Sequence, residues 1–248
     1  CNMAVEFSAF TGIIAPDQKV IDYLKDRPYA PNHKWSDAVN FWNSLYSDKN
    51  AIFDEVIEID SSQIYPSVSW GLSPEQSIAI NDSIPNINEI TNPDKKEELK
   101  SSLIYMGLES GQSLMHLPID AAFIGSCTNA RLDDLRSAAK ILKGNKVSPD
   151  VLAICTPASA DIKRNAEREG IDQIFKDSGF QWREPGCSLC FYAGGEGFLP
   201  KQRVITSTNR NFRGRQGPAV RSHLASPATV AASTIAGKII PSIEVCKK

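Results

Sequence analysis

From about residue 118 the chain alternates short apolar runs with segments whose apolar residues recur every three or four positions. Residues 119–124 are a nearly continuous apolar run, which predicts a buried strand, and a loop follows at 125–129. Leu132, Leu135, Ala139 and Leu142 then fall at helical spacing, predicting a helix over 130–142. The pattern repeats with a strand at 151–155, a helix at 159–169 and a short helix over 175–179 that Gly179 stops. A Pro-Gly-Cys loop comes next, then a strand at 203–206 and a helix rich in small residues over 227–236. Such alternation predicts an α/β fold: mostly parallel sheets flanked by helices, with functional loops beyond the strand carboxyl ends.

The first half is less regular. Residues 1–13 read as helical, with Asn2 and Glu6 four apart on one face. Helices are predicted over 17–24, where Val20, Ile21 and Leu24 are periodic, and over 35–45. Residues 53–60 resemble a strand and 66–70 a short extended stretch. Residues 71–100 carry several loop signals, and the charged run 94–98 reads as a solvated linker or helix start. The chain opens Cys1-Asn2-Met3 inside a periodic segment without an initiator Met, which reads as a truncated start.

Composition narrows the function classes. With 27 basic and 29 acidic residues the formal charge is −2, so electrostatics supply no case for a nucleic-acid or membrane partner. No apolar run approaches the roughly 18 residues of a spanning helix. The six cysteines are scattered, unlike a secreted disulfide scaffold, which points to a reducing, cytoplasmic setting.

Three cysteines carry the candidate chemistry. Cys127 lies in Gly125-Ser126-Cys127-Thr128-Asn129, between a strand and a helix, where helix N-terminal amides favour a thiolate. Cys187 and Cys190 form a C-x2-C pair in Gly186-Cys187-Ser188-Leu189-Cys190. Three soft donors make an incomplete site suited to zinc, copper(I) or an iron–sulfur cluster, with a position open for substrate. The pair alone also fits a zinc half-site or a redox dithiol. Of the remaining cysteines, Cys155 reads as a core thiol in an apolar strand, and Cys1 and Cys246 as having no metal role.

A second constellation follows the predicted strand at 203–206. Ser207-Thr208-Asn209-Arg210-Asn211-Phe212-Arg213-Gly214-Arg215 places three arginines within six residues of a loop, a pattern suited to gripping carboxylate or phosphate through paired N–H donors. Arg210 and Arg215 are expected on one side of the loop and Arg213 in solvent. An exposed basic loop, or nucleic-acid contact, is the alternative.

Taken in order, these three strings resemble the aconitase superfamily, and within it the large subunits of the isopropylmalate dehydratases. Cys1-Asn2-Met3 with Glu6, Val68-Ser69-Trp70-Gly71 and His223-Leu224-Ala225-Ser226-Pro227 extend the resemblance over nearly the whole chain. The resemblance implies a 4Fe–4S cluster held by Cys127, Cys187 and Cys190, with one iron open. It implies carboxylate binding by Arg210 and Arg215, a place beside the cluster for Asn209, and places near the reacting water for Asn2 and Glu6. The implied reaction moves a hydroxyl between adjacent carbons of a malate-like acid by dehydration and rehydration, with 2-isopropylmalate as the expected substrate. A tricarboxylate, as in aconitase or homoaconitase, is the alternative. A non-catalytic cluster- or zinc-binding module is the alternative of another class.

The resemblance further divides the chain into a remnant of a second domain (1–75), a linker region (76–117) and a third domain with the cysteines (118–248). It implies three groups outside this sequence: an N-terminal domain with His and Asp residues, the general base, and the small subunit or swivelling domain that supplies that base. His33, His116 and His223 match no catalytic string and are given no catalytic role. Two departures stand out: Phe191-Tyr192-Ala193-Gly194-Gly195 follows the second cysteine in place of a Leu-Ala-Met-Asn-Pro type sequence, and Arg213 replaces a commoner Glu or Thr.

Overall fold

The computed structural model describes residues 1–245, and of Glu6 and Phe7 the backbone alone. Two compact units divide the chain, Cys1–Ser61 and Ser62–Lys248.

The first unit holds a 3-10 turn at Ala4–Phe7 and two helices, α1 (Gln18–Leu24) and α2 (Trp35–Asn43). Asp17 caps α1 by accepting a hydrogen bond from the Val20 amide at 2.9 Å. Two expectations fail here. Residues 1–13 do not form a helix: the turn ends at Ser8, whose φ of 55° is left-handed, and Asn2 precedes it. The shared helix face of Asn2 and Glu6 is therefore absent. A single turn that buries little lacks the packing that offsets helix nucleation, and Val5, Phe10, Ile13 and Ile14 are all exposed. Residues 53–60 form no strand either. Their alternation is strand-like, but no described strand forms a ladder with them, and pleated backbone needs a ladder to satisfy its N–H and C=O groups.

The second unit begins with the antiparallel pair β1 (Ser67–Ser69) and β2 (Ser77–Ala79) and the helix α3 (Pro93–Met106). Leu99, Leu103 and Met106 of α3 belong to the main core. The stretch 76–117 is thus part of the packed unit, where a linker was expected. Its compact-unit boundary lies at 61/62 and not near 75.

A parallel sheet follows, built from β3 (Ala121–Ile124), β4 (Leu152–Cys155), β5 (Gln181–Trp182), β6 (Arg203–Thr206) and β7 (Arg221–Leu224), in the order β5-β4-β3-β6-β7. The connecting helices are α4 (Leu132–Leu142), α5 (Ala160–Arg168) and α6 (Ile171–Ser178), and α7 (Pro227–Ala236) follows β7. Every residue of the central strand β3 is buried, as expected where both faces of a parallel strand are covered. Alternate residues divide between those faces. Ala122 and Ile124 join the main core with α4 and α7, whereas Ala121 and Phe123 join a smaller cluster with Ile154, Val204, Leu189 and Cys190. The second face is therefore closed partly by the C-x2-C loop itself.

Polar burial in β6 and β7 is satisfied internally. The Arg203 guanidinium is 8% exposed and donates from Nη1 to His223 Nε2 at 2.8 Å and from Nη2 to the Met106 carbonyl at 3.1 Å. His223 Nδ1 in turn donates to the Ser69 carbonyl at 2.7 Å, which makes the ring a neutral Nδ1–H tautomer. Burial, and then the Arg203 charge, push the His223 pKa down to about 3. Burial also lowers the Arg203 pKa to about 10. Both ring nitrogens of His223 are thus engaged in tying β7 to β6 and β1.

Candidate active site

Strand order reverses direction around β3: the chain proceeds outward through β4 and β5 on one side, then returns to β6 and β7 on the other. In open parallel sheets the crevice at such a switch point, beyond the strand carboxyl ends, is where sites form. Here the loops flanking it are the Cys127 loop after β3 and the arginine loop after β6.

Those two loops are tied together. Ser207 Oγ accepts from the Gly125 amide at 3.1 Å and lies 3.2 Å from the Gly125 and Asn129 carbonyl oxygens, one of which takes its proton. Asn129 Nδ2 donates to the Ser207 carbonyl at 2.6 Å. Gly125 has no room for a side chain, because a Cβ there would collide with the buried Phe123 ring.

The C-x2-C loop is tied to the same segment from the other side. Gln216 Nε2 donates to the Leu189 carbonyl at 2.8 Å, and the Tyr192 amide donates to the Arg215 carbonyl at 2.8 Å. Leu189, between the two cysteines, is 2% exposed and acts as the hydrophobic anchor of the turn. The arginine loop thus braces both cysteine loops.

Arg215 carries the densest set of contacts. Its Nε donates to the Cys190 carbonyl at 2.6 Å and its Nη2 to Cys190 Sγ at 3.3 Å. The guanidinium carbon lies 5.2 Å from the ring centroids of both Phe191 and Phe212, within cation–π range of each. Arg210 and Asn209 are half-buried on the same loop, while Asn211 is buried and donates to the Gly71 and Ser222 carbonyls, both at 2.7 Å. Arg213 is exposed but does not simply enter solvent. It donates to Ser101 Oγ at 2.5 Å and lies over the Tyr105 ring, whose hydroxyl accepts from the Gly214 amide at 2.9 Å. The unusual arginine is thus an attachment of the loop to α3.

The structure brings Arg215 to Cys190 but does not draw the three thiols into one group. Cys127 and Cys187 are exposed, Cys190 is buried, and all the described cysteines are free. No set of three His, Cys, Asp or Glu groups among the described residues has metal-holding geometry. The donor set still fits an iron–sulfur cluster in chemistry, being soft thiols, and its two loops are braced by one segment. Cys155 is fully buried, and burial pushes its thiol pKa up, which agrees with a core role. Asn2 and Glu6 belong to the first unit; the Glu6 side chain and Cys246 lie outside the described residues. Tyr105 escaped the sequence reading, and Phe191 entered it only as a departure from the family's pattern, not as a neighbour of Arg215. An aromatic directly after the second cysteine was the one available signal.

A parallel α/β unit thus carries thiol side chains and a braced guanidinium on the loops at its switch point. The profile of the aconitase family (aconitate hydratase) matches residues 1–237, and the chain belongs to this family of hydro-lyases, whose members generally bind a 4Fe–4S cluster. It is 55% identical over 240 residues to the 3-isopropylmalate dehydratase large subunit of Cupriavidus necator, covering 96% of this chain and 90% of that protein. It is 48% identical over 240 residues to 3-isopropylmalate dehydratase large subunit 1 of Bradyrhizobium diazoefficiens, and 47% over 242 residues to the large subunit of Psychrobacter cryohalolentis. These matches cover 96% and 97% of this chain but only 50% and 51% of those two proteins, so the chain spans about half their length.

Proposed function

We propose that the chain is the cluster-bearing part of a large subunit that isomerises 2-isopropylmalate to 3-isopropylmalate, a step of leucine biosynthesis, in the cytoplasm. The observation that carries this reading is the Arg215 guanidinium held against Cys190 at the switch point of the sheet, in a chain of this family. Residues 118–248 would correspond to the family's third domain. Cys127, Cys187 and Cys190 would hold the 4Fe–4S cluster. When bound, the cluster supplies a Lewis acid with an open position for the substrate's oxygens.

The chain's own groups supply orientation and charge. Arg210 and Arg215 grip the carboxylates of the malate-like end, fixing the carbon that loses a proton relative to the one that loses hydroxyl. Fixing both carboxylates lowers the entropic barrier and stabilises the negative charge that grows on the carboxylate beside the deprotonated carbon. Asn209 orients oxygen at the mouth of the thiol loops. By the resemblance alone, Glu6 would accept the proton of the reacting water or orient it, and Asn2 would orient it. The base that removes the carbon-bound proton comes from a small-subunit partner or swivelling domain.

The test is activity of the full-length large subunit, prepared anaerobically, on 2-isopropylmalate, citrate and homocitrate, with and without the small subunit. The expected result is turnover of 2-isopropylmalate only with both subunits. Preference for citrate or homocitrate would replace the substrate assignment. Stoichiometric zinc without iron or sulfide would leave a non-catalytic metal module and end the hydro-lyase reading.

A further inference from the structure

Within the second unit, a cavity of about 440 Å³ opens between the end of β7 and the β1–β2 pair. That volume lies in the range of small-molecule sites. Asn129 and Thr208 form one wall. Asn129 lies two positions after Cys127, and Thr208 lies two before Arg210, so this wall is continuous with the thiol and arginine loops. The other walls are largely apolar, with Ile64, Tyr65, Pro66, Leu224 and Ala225. The remaining polar side-chain groups are serine hydroxyls and the Tyr65 phenol, and none of the described residues lining the cavity carries a charge.

This chemistry bears on the choice between an alkyl-substituted malate and a tricarboxylate. All these substrates share the malate-like end that arginines would grip, so the arginine loop does not distinguish them. The third substituent does: it is a branched alkyl group in one case and an arm bearing a carboxylate in the other. A carboxylate entering this cavity would give up water without meeting a cation, an unfavourable exchange. A branched alkyl group would remove apolar surface from water against Ile64, Tyr65 and Leu224, a favourable one. We propose that this cavity is the specificity pocket for the uncharged, branched alkyl substituent of the substrate. The proposal rests on the hydro-lyase reading above and assigns to the large subunit a share in substrate selection.

Ile64 is the residue to vary, because it is 66% exposed and its loss does not open the core. In the complete enzyme with its small subunit, kcat/KM would be measured for 2-isopropylmalate and for 2-methylmalate, which shares the acid end but lacks the branched chain. Ile64→Ala is expected to lower kcat/KM for 2-isopropylmalate about tenfold, the scale of lost methylene contacts in an apolar pocket. The value for 2-methylmalate should change less than about twofold on the same grounds. Ile64→Arg is expected to shift the ratio of citrate to 2-isopropylmalate turnover toward citrate. Equal losses on both malates, or no loss on either, would overturn the pocket while leaving the reaction in place. A wild-type enzyme inactive on every malate-like acid would instead overturn the hydro-lyase reading, and the pocket assignment with it.

Discussion

The buried His223 makes the stability of the second unit depend on pH, with a sign and size that follow from its surroundings. The ring is fully buried, donates to the Ser69 carbonyl and accepts from Arg203, and its pKa is depressed from 6.5 to about 3. Between those values the unfolded chain binds a proton that the folded chain refuses. Stability from the neutral ring is therefore complete above pH 6.5 and falls as the pH drops toward 3. Each pH unit in that window removes about 1.4 kcal/mol, so about 2.7 kcal/mol is lost by pH 4.5. Carboxylates titrate in part of the same range, so the measurement is a difference. Urea unfolding would be followed for the wild type and for His223→Asn, which cannot titrate and retains an N–H donor for Ser69. The wild type's advantage, whatever its size at pH 7.5, should shrink by about 2.7 kcal/mol at pH 4.5. A difference that stays flat between these pH values would refute the neutral, doubly bonded ring.

Substitutions at three other positions test the bracing of the site. Arg215→Lys in the complete enzyme turns a planar fork into a point charge and should cost about 2–4 kcal/mol in kcat/KM; unchanged kcat/KM would remove Arg215 from the substrate site. Phe191→Leu removes one of the two rings beside that guanidinium and should raise KM about two- to fivefold with little change in kcat, while Phe191→Tyr restores the wild-type value; equal KM in all three would show that the ring does not position Arg215. Asn211→Ala leaves the Gly71 and Ser222 carbonyls without their donor and should lower unfolding free energy by about 2–3 kcal/mol, and a loss below about 0.5 kcal/mol would mean that water replaces the amide there.

What the sequence made legible follows from how local each signal is. β3 was readable because a strand buried on both faces is apolar throughout, β6 because Val204 and Ile205 are apolar and β-branched, and α7 because Pro227 at the start and Gly237 at the end frame the helix. α3 was only half seen. Asn92-Pro93 reads equally as a loop, but Asn92 Oδ1 accepts from the Asp94 and Lys95 amides and Pro93 occupies the first turn, so the pair is a helix cap. β7 gave no signal, since Arg221, Ser222 and His223 look like surface; the burial of His223 depends on Arg203 and Ser69, distant in sequence. Residues 53–60 had the converse fault, a strand-like pattern without a partner strand.

The same distinction applies to the site. Cysteine and arginine strings stand out because their chemistry is carried by residue type, whereas the braces that position them are contacts across long separations. Tyr105 holds the Gly214 amide 109 positions away, and Ser207 joins a loop 82 positions earlier. These braces change what Arg215 is able to do. Its Nε and Nη2 bonds fix the guanidinium to the Cys190 loop, and Nη1 makes no hydrogen bond to a described residue. A substrate carboxylate gripped by this guanidinium would thus meet a group already ordered by the loop proposed to hold the cluster. Loss of order in the C-x2-C turn would loosen the carboxylate grip, and one side chain would couple cofactor binding to substrate binding without any direct contact between thiol and substrate.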